Sequence, residues 1–255
     1  MIDYRKMKKL LYIFILLVFG SVFSQNGPLF EQGKERYKEG KFQEAIENWM
    51  KILNSGEHSA NLYFNLGNAH YKLNNIGPSI YYFEKALRLN PYDADIKTNL
   101  AFAENARIDA IEPLPQTIFS KWYSRLSNIL DFNGWAAAAV VFSMLFVLLF
   151  LGYYFSTSER KKRILFVGSL FSVFLLLVSL GMAFQINNDS LNDKPAIIFA
   201  ETIEVKSEPN LGSEAAFILH EGTKVQVIAQ DESWVRIELA NGKDGWVPSD
   251  DIKQL

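Results

Sequence analysis

Three histidines, His58, His70 and His220, are the side chains best suited to proton transfer or metal binding at neutral pH. A zinc-binding helix needs two imidazoles four residues apart, so that both rings reach one ion. No two of these histidines have that spacing, and each reads as a surface or core side chain. Glu204 and Glu208 form an acid pair on a strand-to-turn segment with no apolar pocket around it, and Glu44 and Glu47 read as a solvated helix face. Cysteine is absent, which removes thiol nucleophiles, disulfides and thiolate metal ligands, and leaves packing alone to hold the soluble parts. No glycine loop that could cradle a phosphate is present. The expectation is therefore a non-enzyme, with no catalytic residue, no metal and no cofactor.

A second class of side chain is better placed for recognition. Phe30, Lys34 and Tyr37 are followed 34 residues later by Phe64, Asn68 and Tyr71. The same offset, without a gap, relates Gly33 to Gly67, Phe42 to Ile76, Ala45 to Ser79, Trp49 to Phe83 and Ile52 to Ala86. Small residues at Gly33, Gly67, Ala45, Ser79 and Ala86 let two helices approach closely, and Phe42, Trp49, Ile76 and Phe83 fill the space beside them. Pro78 suits the first turn of a helix, where a missing N–H is tolerated. This 34-residue helix–turn–helix unit resembles the tetratricopeptide repeat. It places repeats at 26–59 and 60–93 and a capping helix at 94–107, in a domain covering 26–112. The first copy departs from the pattern at Gln32 and Glu57, where Leu66 and Pro91 stand in the second. The resemblance implies that the first helix of each pair lines a concave groove, holding an extended peptide or short helix against Phe30, Lys34, Tyr37, Phe64, Asn68 and Tyr71. Asn65 matches one member of a set that clamps a terminal carboxylate in some repeat proteins, but its basic companions are not evident. Tyr37 and Tyr71 read equally well as packing. About three units are usually needed for stability, so two repeats and a cap call for support from a membrane surface or a partner chain.

Residues 135–155 and 164–186 contain no charged side chain, and each run exceeds the roughly 20 residues that cross ~30 Å of hydrocarbon as a helix. Between them, Arg160, Lys161, Lys162 and Arg163 mark the loop 156–163 as cytoplasmic, because basic residues in short loops are retained on that side. At the N-terminus Arg5, Lys6, Lys8 and Lys9 precede a short apolar run and small residues, which reads as an export signal at 1–24 cleaved after Ser24. An uncleaved anchor is the alternative. Either way the two lines of reasoning agree: the repeats and the C-terminal segment share one exported compartment, in a two-pass protein of a bacterial inner membrane. Residues 116–132 carry Ile118, Phe119, Trp122, Tyr123, Leu126, Ile129 and Leu130 at helical spacing with Lys121 and Arg125 between them, an amphipathic helix suited to the lipid interface or else to a partner. The spans hold no Asp, Glu, Lys, Arg or His, which argues against transport, while Ser143, Ser169, Ser172, Ser179, Gly152, Gly168 and Gly181 suit helix contact.

From 195 to 255 the pattern turns to short strands. Ile203 and Val205 alternate with polar neighbours, as do Val225, Val227 and Ala229, then Val235, Ile237 and Leu239. Asn241 and Gly242 signal a hairpin, and residues 245–248 a short edge strand. With Gly242, Gly245, Trp246 and Val247 in their spacing, this segment resembles a bacterial SH3-like domain. Members of that family often bind cell-wall peptide or serve as targeting modules, and here Trp234 (core or groove wall) and Trp246 are the groove candidates. The segment carries eleven acidic against five basic side chains, which disfavours nucleic acid and, mildly, an anionic wall polymer.

The expected fold is multidomain: an all-α tetratricopeptide repeat domain, a two-helix transmembrane hairpin and an all-β SH3-like barrel. In its order of parts, and in the exit at Phe23, Ser24 and Gln25, the chain resembles the BatE-like family of Bacteroides-type aerotolerance-operon membrane proteins. That resemblance implies protein partners among other Bat membrane proteins, including members with von Willebrand A domains, and a link to stress or oxygen tolerance. The function it suggests is a non-catalytic protein-protein interaction scaffold in contact with membrane lipid on the periplasmic face. Peptidoglycan sensing or binding through the SH3-like domain is the alternative.

Overall fold

A computed structural model describes residues 26–255, so the export signal expected at 1–24 lies outside the described residues. Two compact units are formed. One combines residues 26–112 with Pro195–Leu255, and the other is Pro113–Lys194.

The first unit begins with two antiparallel helix pairs, α1 (Asn26–Lys38) with α2 (Phe42–Asn54) and α3 (Ala60–Lys72) with α4 (Ile76–Leu89). Each pair turns at a left-handed residue, Gly40 (φ 77) and Asn74 (φ 60), again 34 positions apart. The Ser59 side chain accepts from the Leu62 N–H and opens α3, while Asp93 accepts from the Asp95 and Ile96 N–H groups and opens α5 (Ala94–Asn105). Within each pair an aromatic ring lies directly on a glycine. Trp49 covers Gly33, and a Cβ at Gly67 would stand 2.7 Å from the Phe83 ring. Ala45, Ile46, Trp49, Ile52, Leu62, Leu66, Ala69, Tyr82, Ala86 and Ile96 form the core between the pairs.

The cap is more than a lone helix. Ala94, Asn99, Leu100 and Ala103 of α5 stand 34 residues after Ala60, Asn65, Leu66 and Ala69. It thus takes the place of the first helix of a third unit, but residues 107–117, which form neither helix nor strand, follow it where the second helix of that unit would begin. The vacant side is filled by the C-terminal domain: Leu100 and Ala103 pack with Ile76, Ile80 and Phe83 and with the fully buried Ile197 of β1 (Pro195–Ile198). Tyr81 meets Phe199 edge-on with centroids 5.5 Å apart. Polar bonds flank this seam, with Lys224 Nζ on Glu84 at 2.6 Å and the Gly77 N–H donating to Glu221 at 3.1 Å. The support expected from a membrane surface or a partner chain comes from the chain itself, a pairing that no local sequence pattern could announce.

The C-terminal domain is a seven-stranded antiparallel sheet with β2 (Thr202–Lys206), β3 (Ala215–His220), β4 (Lys224–Asp231), β5 (Trp234–Glu238), β6 (Asp244–Pro248) and β7 (Ile252–Gln254) in the order β3-β2-β6-β5-β4-β1-β7. Three of its strands, β1, β3 and β7, were not expected. Residues 245–248 are not at an edge: β6 lies between β2 and β5, and the edges are β3 and β7. The strand is short because Pro248 ends it, not because it lacks a neighbour. Ala229 faces solvent, since a register shift after Val227 reverses the alternation of β4. In the turn from β5 to β6 Gly242 alone takes positive φ (80), and its N–H donates to the Leu239 carbonyl.

The second unit holds α6 (Ile118–Ser127), α7 (Phe132–Phe155) and α8 (Glu159–Asn192). By length and composition α7 and α8 can each cross a bilayer. They pack along Ser169, Ser172, Ser179 and Ala183, all buried, and the Ser172 hydroxyl donates to the Phe142 carbonyl at 2.8 Å. The connection is only residues 156–158, so Arg160, Lys161, Lys162 and Arg163 occupy the first turns of α8 instead of a loop. The Tyr123 hydroxyl of α6 donates to the Asp189 carboxylate of α8.

Candidate functional site

Helix periodicity divides the groove candidates into two sets. Phe30, Tyr37 and Phe64 are half-buried and serve the helix pairs. Phe30 lies 6.4 Å from the Trp49 ring, Tyr37 meets Phe42 edge-on at 5.1 Å, and Phe64 lies 5.9 Å from Phe83. Burial pushes the Tyr37 hydroxyl above its ordinary pKa. Asn65 donates to the Asn61 carbonyl one turn earlier, which commits its amide locally. Lys34 pairs with Glu31 at 3.0 Å and sits 5.8 Å over the Phe30 ring, near the surface. With Asn68 half-buried and Tyr71 37% exposed, the groups open to a ligand are Lys34, Asn68 and Tyr71. The continued register of α5 adds two positions that sequence reasoning missed, Asn99 and the 56% exposed Phe102, at the offsets of Asn65 and Asn68. The 34-residue offset itself was the signal that could have found them.

On the C-terminal domain, alternation along β5 sends Val235 and Ile237 inward and Trp234 and Arg236 outward. Arg236 is registered opposite Trp246, and Trp246 opposite Lys206, so these three form one rung on the outer face. Trp234 lies diagonally across from Trp246 on that face, which suits a groove wall and not the core. Both cations are already paired, Arg236 with Asp244 at 2.6 Å and Lys206 with Glu204 at 2.7 Å. The lysine's hydrogen bond holds the Glu204 carboxyl below its ordinary pKa. The rung, with Trp234 beside it, offers two indole surfaces between charge-compensated neighbours, a place for an uncharged or weakly charged chain.

The histidines do not converge. His58 bonds the Tyr63 hydroxyl at 2.6 Å, His70 stacks on Tyr82 with centroids 5.4 Å apart, and His220 contacts Asp109 at 2.9 Å. Among the described residues no three His, Asp or Glu side chains could hold one metal ion.

Residues 60–93 match the tetratricopeptide repeat family, and residues 201–253 match the bacterial SH3 domain family. No curated protein matches the chain. Among solved structures, an NlpC/P60 family protein from Bacillus cereus ATCC 10987 aligns at 18% identity over 28% of this chain, with a TM-score of 0.22; the chain spans 23% of its length. The crystal structure of MamA aligns at 14% identity over 75% of this chain and 98% of its own, with a TM-score of 0.32. Scores of this size bear on neither arrangement nor function. The two domain matches suggest protein-protein interaction or cell-wall binding.

Proposed function

We propose that this chain is a non-catalytic, membrane-anchored scaffold that gathers protein partners at the periplasmic face of a bacterial inner membrane. In this reading it belongs with the BatE-like aerotolerance proteins, its partners are other Bat membrane proteins including von Willebrand A-domain members, and its role lies in oxygen or stress tolerance. One observation carries the reading. Residues before and after the apolar hairpin build a single folded body, with β1 packed on α4 and α5. Two segments that share a core must share a compartment, so the pairing supports an even number of crossings, and the basic cluster at the start of α8 supports a cytoplasmic tip. An interfacial seat for α6 is supported by Ile118, Phe119 and Trp122, which are 74%, 88% and 65% exposed, with Lys121 and Arg125 beside them.

Exported-reporter fusions after residue 112 and after Leu255 both register as periplasmic in this reading, and a cytosolic signal from either overturns it. Replacing Lys34, Asn68 and Tyr71 together by alanine abolishes co-purification of partners while leaving thermal unfolding unchanged; retained partners refute the groove. Phe64 is left out because it packs on Phe83.

The second reading, wall binding, is favoured by the outer rung of Trp246 with Trp234 beside it. Full-length protein in detergent then pellets with purified sacculi, and Trp234→Ala with Trp246→Ala releases it. No pelleting of the unaltered protein removes this reading.

A further inference from the structure

Residues 107–117, between α5 and α6, form neither helix nor strand, yet their first part is held by a set of directed donors. Asp109 Oδ2 accepts from the His220 backbone N–H at 2.7 Å and from the Thr223 hydroxyl at 2.7 Å, and Oδ1 pairs with the His220 ring Nδ1 at 2.9 Å. Two of the donors belong to His220 at the end of β3, and the third to Thr223 in the turn that leads to β4. Gly222, at φ +82, bends that turn so that His220 and Thr223 face the same carboxylate. Thr223 is fully buried, and the Asp109 side chain is 14% exposed. Two residues on, Ile111 packs against the core of the C-terminal domain, while Ile108 is 71% exposed and Ala110 is exposed. The segment is therefore an extended strip with Asp109 and Ile111 facing in. Among the described residues, no backbone–backbone hydrogen bond ties 108–112 to the sheet, so the Asp109 and Ile111 side chains do the holding.

We propose that the β3–β4 turn and the apolar rim beside it form a receptor for extended peptides of the pattern Asp-x-Ile. Residues 108–111 fill it as a tethered ligand that a partner chain with the same pattern displaces. The charge of the domain points to a built site. Eleven acidic against five basic side chains repel a carboxylate in general, and only converging donors make one welcome here. The tethered copy competes at an effective concentration on the order of millimolar, so a partner engages weakly until the tether is pulled away. Exchange would free the chain that leads from α5 to α6. Neither the helical groove nor the membrane topology enters this inference.

The test uses the full-length protein in detergent and a fluorescein-labelled hexapeptide Arg-Ile-Asp-Ala-Ile-Glu, the sequence of residues 107–112. Fluorescence anisotropy is expected to show at least about tenfold tighter binding to Asp109→Ala than to the unaltered protein. Adding Thr223→Val abolishes that binding, and a hexapeptide with Asn in place of Asp does not bind. Equal binding to both proteins, or binding that survives Thr223→Val, overturns the proposal. Should Asp109→Ala unfold the domain, hydrogen exchange on the unaltered protein decides: saturating hexapeptide raises exchange across 107–112 if the tether is displaced, and unchanged exchange refutes it.

Discussion

His70 belongs to no ligand surface, yet its surroundings make it a reporter of the fold. Burial against Tyr82 pulls its pKa down from 6.5 to about 4, and the positive charge of Lys253 on β7 adds to the effect. The unfolded chain takes up a proton near pH 6.5, whereas the folded one resists until about pH 4. The native state is therefore favoured fully above pH 6.5, and that stability, on the order of 3 kcal/mol, is lost as pH falls to 4. His70→Phe keeps the stacked ring and removes the titration, so its urea midpoint declines less between pH 6.5 and 4 than that of the unaltered protein. Asp109 behaves differently. Burial raises its carboxyl pKa, but hydrogen bonds from Thr223 and His220, with the charge of His220, outweigh burial and hold it below the ordinary value. Its contribution is present above the unfolded pKa and is lost only as pH falls through the lowered folded one, in more acid solution than the His70 effect.

At the scale of the helix pair, the repeat depends on glycine facing an aromatic ring. Gly33 lies under Trp49 and Gly67 under Phe83, and both rings are almost fully buried. A methyl group at either glycine has no flexible tip to push aside, only a packed ring. Gly67→Ala is expected to destabilise the repeats by about 1–3 kcal/mol, read as a shift in the denaturant midpoint, although alanine is the better helix former. A midpoint that rises instead would show that the close approach is not needed. The same element logic explains the sheet. Trp234, Arg236 and Trp246 were legible as strand residues from their alternation, but their shared face depended on β6 lying between β2 and β5.

Across the whole molecule, the finding with the widest consequence is that the repeats end on a strand of the C-terminal domain. Ile197 is fully buried among Ile80, Phe83 and Leu100. Ile197→Ala should cost about 2–5 kcal/mol, and the loss should appear in the helical signal as much as in the sheet. A chain in which residues 113–194 are replaced by a flexible Gly/Ser linker is expected to be soluble without detergent and to unfold in one transition. Residues 26–112 alone are expected to melt at lower temperature. Two separate transitions in the linked chain would mean that the seam contributes little.

Periodicity determined much of this protein without help. The 34-residue offset, the charge-free runs and the two-residue alternation each express how a helix or strand repeats along its own axis, and all are local. Tertiary structure decided which faces meet. Leu100 and Ala103 read as the apolar side of a cap, and nothing nearby says that a strand almost a hundred residues later covers them. Asp109, on an irregular segment, carries no period at all, so its three donors became visible only once the β3–β4 turn was folded beside it. Contacts between segments so far apart depend on shape and direction in space, which a one-dimensional pattern does not encode.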